Sequence, residues 1–160
     1  MKKHSSYLAS LLSHLLDKPA RAAYSLHMVK ASGILYYDGH CGLCNWSARF
    51  LMRHDRNGSL RYAPLQGDTA FKNLPERFRL NVSTAIYQRS DDELYERSGA
   101  VLRALIDSGS RLGLLAKIAL WIPRSLRDAL YDFIANNRHR LFAEYRCDLP
   151  DPEQRAKILP

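Results

Sequence analysis

The chain has 160 residues, 46% hydrophobic and 25% charged, the proportions of a folded globular protein with a core of its own. Its formal net charge is +8, but about half of that excess falls in the first thirty residues and the rest is scattered. No Lys/Arg run has the length that marks a nucleic-acid patch, so nucleic acid is not an expected partner. Three cysteines are too few for a disulfide-stapled scaffold and fit a reducing, cytoplasmic compartment, where a close pair is kept for chemistry or metal.

Residues 1–32 read as an N-terminal helical extension. Met1-Lys-Lys-His is basic and Leu8 to Leu16 is fairly apolar, the outline of a secretory leader. Ser10, Ser13 and His14 interrupt the apolar stretch, and Asp17, Lys18 and Arg21 crowd the place where cleavage would fall. The expectation is therefore a short amphipathic helix, with Leu8, Leu11, Leu12, Leu15 and Leu16 at helical spacing and Pro19 as its stop. Met28 is a candidate alternative start, because the recognisable domain begins just after it.

Residues 33–160 read as one domain. Ile34 to Tyr37 is a buried strand broken by Asp38-Gly39, and a helix follows from about Cys41 to His54, with Trp46 and Phe50 sharing its core face. Asp55 to Gly58 is a turn. Leu60 to Ala63 is a second strand, giving a β-α-β unit with a parallel pair. Gly67 to Leu74 is a short helix ended by Pro75. Two alternating segments, Ser83 to Gln88 and Glu93 to Glu96, flank Ser90-Asp-Asp92 as a hairpin. Ser98 is placed as the N-cap of a helix over Gly99 to Ile106, and Gly109 closes that unit. From about 111 onward the chain reads as helical: Leu112 to Trp121, expected to bury its apolar surface against the core, with a partner groove or membrane-surface contact as the alternative, then a helix from Pro123 and Leu126 to about Phe142. Cys147 falls in a loop before a short tail. The nearly unbroken apolar run Leu112 to Ile122 carries Lys117 and is too short to span a bilayer.

The fold class is thus α/β: a thioredoxin-like core, β-α-β-α-β-β-α, with an N-terminal helical extension and added C-terminal helices. Chemistry concentrates at Asp38-Gly-His-Cys41-Gly-Leu-Cys44, a dithiol at a strand-to-helix turn with a carboxylate three residues before it. Cys41 falls at the first turn of its helix, where unpaired N–H groups and the helix dipole favour a thiolate. The N–H of Cys44 is placed to point at its sulfur. Cys44 lies one turn inward, expected to be more buried and protonated longer. Cys41 is therefore the attacking cysteine and Cys44 the resolving one. Asp38 reads equally as a proton acceptor for Cys44 and as turn chemistry capping backbone N–H groups. A protonated His40 would favour the Cys41 thiolate; a solvent-facing spectator is the equal alternative. Arg138 and Arg140 reach toward an anionic substrate or cap the last long helix.

The chain resembles the DCC family, thiol–disulfide oxidoreductases named for Asp-x-x-Cys-x-x-Cys. The matching text is Leu35 to Asn45, Arg61-Tyr-Ala-Pro-Leu-Gln66, Arg97-Ser98, Ile122 to Tyr131, Asn137 to Phe142 and Cys147-Asp-Leu-Pro150. The resemblance implies an enzyme that uses a Cys41–Cys44 couple, with Asp38 functional; Gly39, His40, Arg138 and Cys147 are read from their positions as substrate-binding or modulating, with Cys147 either a small loop residue or a third redox thiol. No cofactor beyond the dithiol is expected, and dithiol chemistry would act on a disulfide-containing protein or a small thiol or disulfide. Ordinary thioredoxins complete the site with a cis-proline just before the third strand. Here Leu80-Asn-Val-Ser-Thr84 holds that place without a proline, so substrate docking is expected to differ.

Two rival readings stand beside this one. Cys41 and Cys44 have zinc-ligand spacing, and Cys147 with His40 or His54 would complete a site; against it, the chain has no second close pair. A non-catalytic interaction module on the same fold is the other. Phosphate-loop, dinucleotide and serine-hydrolase motifs are absent from the sequence.

Overall fold

A computed structural model of the chain describes residues 31–80, 84–138 and 151–160. The N-terminal helix, the Asn81–Ser83 part of the proline-free segment, Arg140 and Cys147 lie outside these residues.

The fold is thioredoxin-like, built on a four-stranded sheet of order β2-β1-β3-β4. Strand β1 (Gly33–Tyr37) is central, parallel to β2 (Leu60–Pro64) and antiparallel to β3 (Ile86–Arg89). The short β4 (Leu94–Glu96) closes the hairpin against β3, with Asp92 in the left-handed conformation at φ +66° that Asp tolerates in turns. A central strand covered on both faces needs apolar residues at every position, which is why Ile34-Leu-Tyr-Tyr reads as an unbroken run rather than an alternation.

The helix α1 (Gly42–His54) and the helix α4 (Arg97–Asp107) cover one face, where Leu35, Tyr37, Leu51, Tyr62, Tyr87 and Ala104 form the larger core. The other face carries α2 (Asp68–Asn73) and α3 (Glu76–Leu80), which pack Ala70, Leu74 and Phe78 on Tyr36, Ala63 and Ile86. The sequence reading ended this unit at Pro75. The first of these helices does stop before Pro75, and the chain then makes a further, unexpected turn of helix, because Phe78 has a place in that core. Trp46 and Phe50 do share a face, stacked with centroids 5.5 Å apart, but they are half-buried rather than core.

Helix α4 begins at Arg97, not Gly99, and Ser98 is not its cap. The Ser98 hydroxyl hydrogen-bonds Asp128 instead, since a buried carboxylate must be given donors. Helix α5 (Gly113–Ala119) corrects the expectation of burial: Leu114, Leu115 and Ile118 are exposed, and Trp121 beyond its end is 92% exposed. The contact face of α5 is made of Gly113 and Ala116. A Cβ at Gly113 would stand 3.2 Å from the Leu105 carbonyl, so the two helices meet on small residues and the bulky ones are left outside. Helix α6 runs Arg124–Asn136. The expected tail is structured as well: α7 (Pro152–Ala156) starts from Asp151, whose side chain accepts from the Gln154 N–H. Ile158 then bridges to Tyr62, covering the β2 edge.

Asp55 closes the α1–β2 turn. It is 7% exposed, accepts from the N–H groups of Ser59 and Leu60, and pairs with Lys157 at 3.8 Å. Asp55→Ala strands two buried donors and should lower the unfolding free energy by about 2 kcal/mol. Urea unfolding checks this, as a lower midpoint at unchanged slope.

Candidate active site

The turn between β1 and α1 is organised by Asp38, which is 7% exposed. Its Oδ1 accepts from the His40 peptide N–H at 3.0 Å and from Gln66 Nε2 at 2.9 Å. Gln66 lies just beyond the parallel neighbour β2, and its Oε1 accepts from the Gly39 N–H at 3.1 Å. One amide therefore clamps both ends of the Asp38-Gly39 step. Asn45 holds the other side, its Nδ2 donating to the carbonyls of Gly39 and Cys41 at 2.8 and 3.0 Å. Gly39 is required by close approach: a Cβ there would meet Gln66 Oε1 and Pro64 at 3.3 Å.

That turn delivers Cys41 to the N-cap of α1 in extended conformation, and the Cys44 N–H donates to its Sγ at 3.4 Å. The first turn of α1 contains no acidic residue, so no side-chain anion in that turn competes with a thiolate for the helix dipole.

The order of exposure is the reverse of the expected one. Cys41 is 9% exposed, whereas Cys44 is half-buried, because its side flanks a cavity. Burial still dominates its chemistry and pushes the Cys44 thiol up to about 12. Hydrogen bonding to Cys41 and the Cys41 charge raise it further, and so does the Asp38 carboxylate. A backbone hydrogen bond from Asp38 works the other way. Asp38 is therefore the structural clamp of the turn, as the turn-chemistry reading expected, and an electrostatic neighbour of Cys44.

The cavity is about 190 Å³ and lies between α1, the sheet, α4 and α6, with Cys44, Leu43, Tyr131 and Arg138 on its walls. Arg138 is thus brought to the dithiol side of the molecule. His40 is exposed and serves the turn through its peptide N–H. His54 sits at the opposite end of α1, its Nδ1 2.7 Å from the Phe50 carbonyl. At 1.5 Å rise per residue the helix holds it about 15 Å or more from the dithiol, so His54 leaves the zinc-ligand set. Among the described residues, no three His, Cys, Asp or Glu side chains are grouped to hold a metal, and no helix is long and apolar enough to cross a membrane.

Sequence reasoning assigned no role to Gln66, Asn45 or Tyr131. The Tyr131 hydroxyl accepts from the Ala85 N–H at 2.9 Å; burial raises its pKa, and charge on Cys44 adds to the shift. All three residues lie inside the segments that carry the family resemblance, which was the available signal. Gln66→Leu removes a donor from buried Asp38 and an acceptor from Gly39. It should lower the unfolding free energy by about 1–2 kcal/mol in chemical denaturation.

Residues 35–144 match the DCC1-like thiol-disulfide oxidoreductase family. A chloroplastic DCC family protein of Arabidopsis thaliana is 34% identical over 119 residues, covering 72% of this chain and 69% of its own. The uncharacterised protein YuxK of Bacillus subtilis is 28% identical over 130 residues, covering 79% of this chain and 93% of its own. No solved structure matches the chain. With the Asp38, Cys41 and Cys44 motif folded at a strand-to-helix turn and the match running over most of its length, the chain belongs to the DCC1-like thiol-disulfide oxidoreductase family.

Proposed function

We propose that the protein is an enzyme that exchanges thiols and disulfides through a Cys41–Cys44 couple, the dithiol itself being the redox group. The observation that carries this reading is the asymmetry of the pair. Cys41 Sγ receives a helix N–H, while burial holds the neighbouring Cys44 thiol protonated up to about 12.

Cys41 attacks one sulfur of the substrate disulfide as a thiolate. The substrate S–S bond breaks, a Cys41 mixed disulfide forms, and the first substrate thiolate leaves and takes a proton from solvent. Cys44 must then ionise. Two of the influences that raise it, the hydrogen bond to Cys41 and the Cys41 charge, disappear once Cys41 is in a mixed disulfide. Asp38 takes both its side-chain hydrogen bonds at Oδ1, which leaves Oδ2 to receive the Cys44 proton directly or through water. Cys44 attacks Cys41 Sγ, the protein disulfide closes, and the second substrate thiol departs. A reducing direction in the cytoplasm fits the low cysteine count.

A redox titration against glutathione, read by thiol trapping and mass, tests the couple. The expected result is a reversible two-electron loss of two protons, abolished by Cys41→Ser and by Cys44→Ser; a pair that stays reduced under oxidising conditions removes the proposal. A potential more negative than the glutathione pool would mark a reductant. Asp38→Asn should slow release from the mixed disulfide by about a hundredfold in stopped-flow assays.

The pH dependence has a definite sign. Below its pKa the reactive fraction of Cys44 grows about tenfold per pH unit. Alkylation of Cys44 should therefore rise through pH ~10 without a plateau. In Cys41→Ala the curve should move to lower pH, because the hydrogen bond to Cys41 and its charge are both gone.

A further inference from the structure

We propose that the cavity beside Cys44 receives the apolar arm of a small-molecule disulfide whose free end is a carboxylate held by Arg138. The inference deepens the exchange reading above and rests on it. The cavity of about 190 Å³ is walled by Leu35, Leu51, Val101 and Ile134, with Cys44 and Arg138 also lining it. An engineered apolar cavity of about 150 Å³ holds benzene, so this one accepts an aliphatic arm of several carbons. Its walls would strip water from a polar arm without replacing the lost hydrogen bonds.

The charged end of the ligand is read from Arg138. Its guanidinium is a planar fork that suits a carboxylate. The pairs Arg89–Asp107, Arg97–Asp132, Arg124–Asp128 and Lys157–Asp55 leave Arg138 unused among the described residues. The Tyr131 hydroxyl on the same wall is already engaged by the Ala85 N–H. A ligand with its arm in the cavity would bring its sulfur beside Cys44, which lines it, and Cys41 lies one helical turn earlier with its Sγ 3.4 Å from the Cys44 N–H. Cys41 attacks that sulfur, the ligand S–S bond breaks, and the distal half leaves as a thiol after protonation. Cys44 gives up its proton and displaces the bound half as a second thiol. The ligand gains two electrons and two protons, and the protein dithiol becomes a disulfide that dithiothreitol restores.

The test is single-turnover reduction by the reduced full-length protein. Its probes are bis(carboxypentyl) disulfide, the matched neutral bis(hydroxyhexyl) disulfide, hydroxyethyl disulfide and glutathione disulfide. The carboxypentyl compound should react at least about tenfold faster than the hydroxyethyl and glutathione disulfides. Ala135→Phe, which fills the cavity, should reduce the ratio of carboxypentyl to hydroxyethyl rates about tenfold. Arg138→Gln should bring the carboxypentyl and hydroxyhexyl rates together. Arg138→Gln decides alone if circular dichroism shows that Ala135→Phe is misfolded. Equal rates for all four probes, or a preference that survives Arg138→Gln, overturn the proposal while leaving the exchange reading in place. Failure to reduce any probe, hydroxyethyl disulfide included, overturns both.

Discussion

A carboxylate buried at the end of a strand must be given donors, and at Asp38 they come from two directions. His40 supplies one from within the turn, and Gln66 supplies the other from the end of the parallel neighbour. Because Gln66 also accepts from Gly39, the turn is stitched to β2 rather than left to its own conformational preferences. Asn45 ties the first turn of α1 back to Gly39 and Cys41. The N-terminus of α1 is thereby fixed relative to β1, and with it the sulfur of Cys41. A charge so close to Cys44 also raises its thiol, so the residue that builds the turn also tunes the second cysteine.

The other wall of the site comes from a part of the chain that a minimal thioredoxin-like core does not need. Helix α6 is anchored through Asp128, which is 8% exposed. Burial acts to raise the Asp128 carboxyl, but the hydrogen bonds of Ser98 and Arg124, with the Arg124 charge, overcome it and hold it below its ordinary value. Arg97 adds a pair to Asp132, and it adopts φ +54°, a conformation costly for a residue with a Cβ. Its N–H donates to the Ala85 carbonyl, while the Ala85 N–H donates to Tyr131. The start of α4, the entry to β3 and the inner face of α6 are thus one bonded unit. That unit places Tyr131 and Arg138 on the cavity that Cys44 flanks. Helix α6 thus walls the cavity that Cys44 flanks.

Helix α5 shows where apolar patterning misleads. Its run from Leu112 to Trp121 is apolar nearly all round, apart from Lys117, yet Gly113 and Ala116 are its buried residues. Close approach of two backbones rewards small residues through many short contacts, and Leu114, Leu115 and Ile118 cannot enter such a seam. The tail misleads in the opposite sense. Asp151 followed by Pro152 is a legible N-cap and first helical position, but a five-residue helix has no strength alone. It exists because Ile158 and Leu159 return to Tyr62.

The sequence by itself determined the order of the four strands, the parallel β-α-β unit, the dithiol at the helix after the first strand and the family. These depend on local patterns: apolar runs, Gly and Pro stops, and the short spacing of Asp38, Cys41 and Cys44. Tertiary structure alone decided that Gln66 clamps Asp38 from 28 residues away. It likewise decided that Ser98 serves Asp128 instead of its own helix, that Cys44 faces a cavity, and that His54 lies far from the dithiol. Each of these outcomes turns on a side chain meeting a group distant in sequence. The cost of burying a charge or leaving a polar group unpaired is settled only where those segments come together.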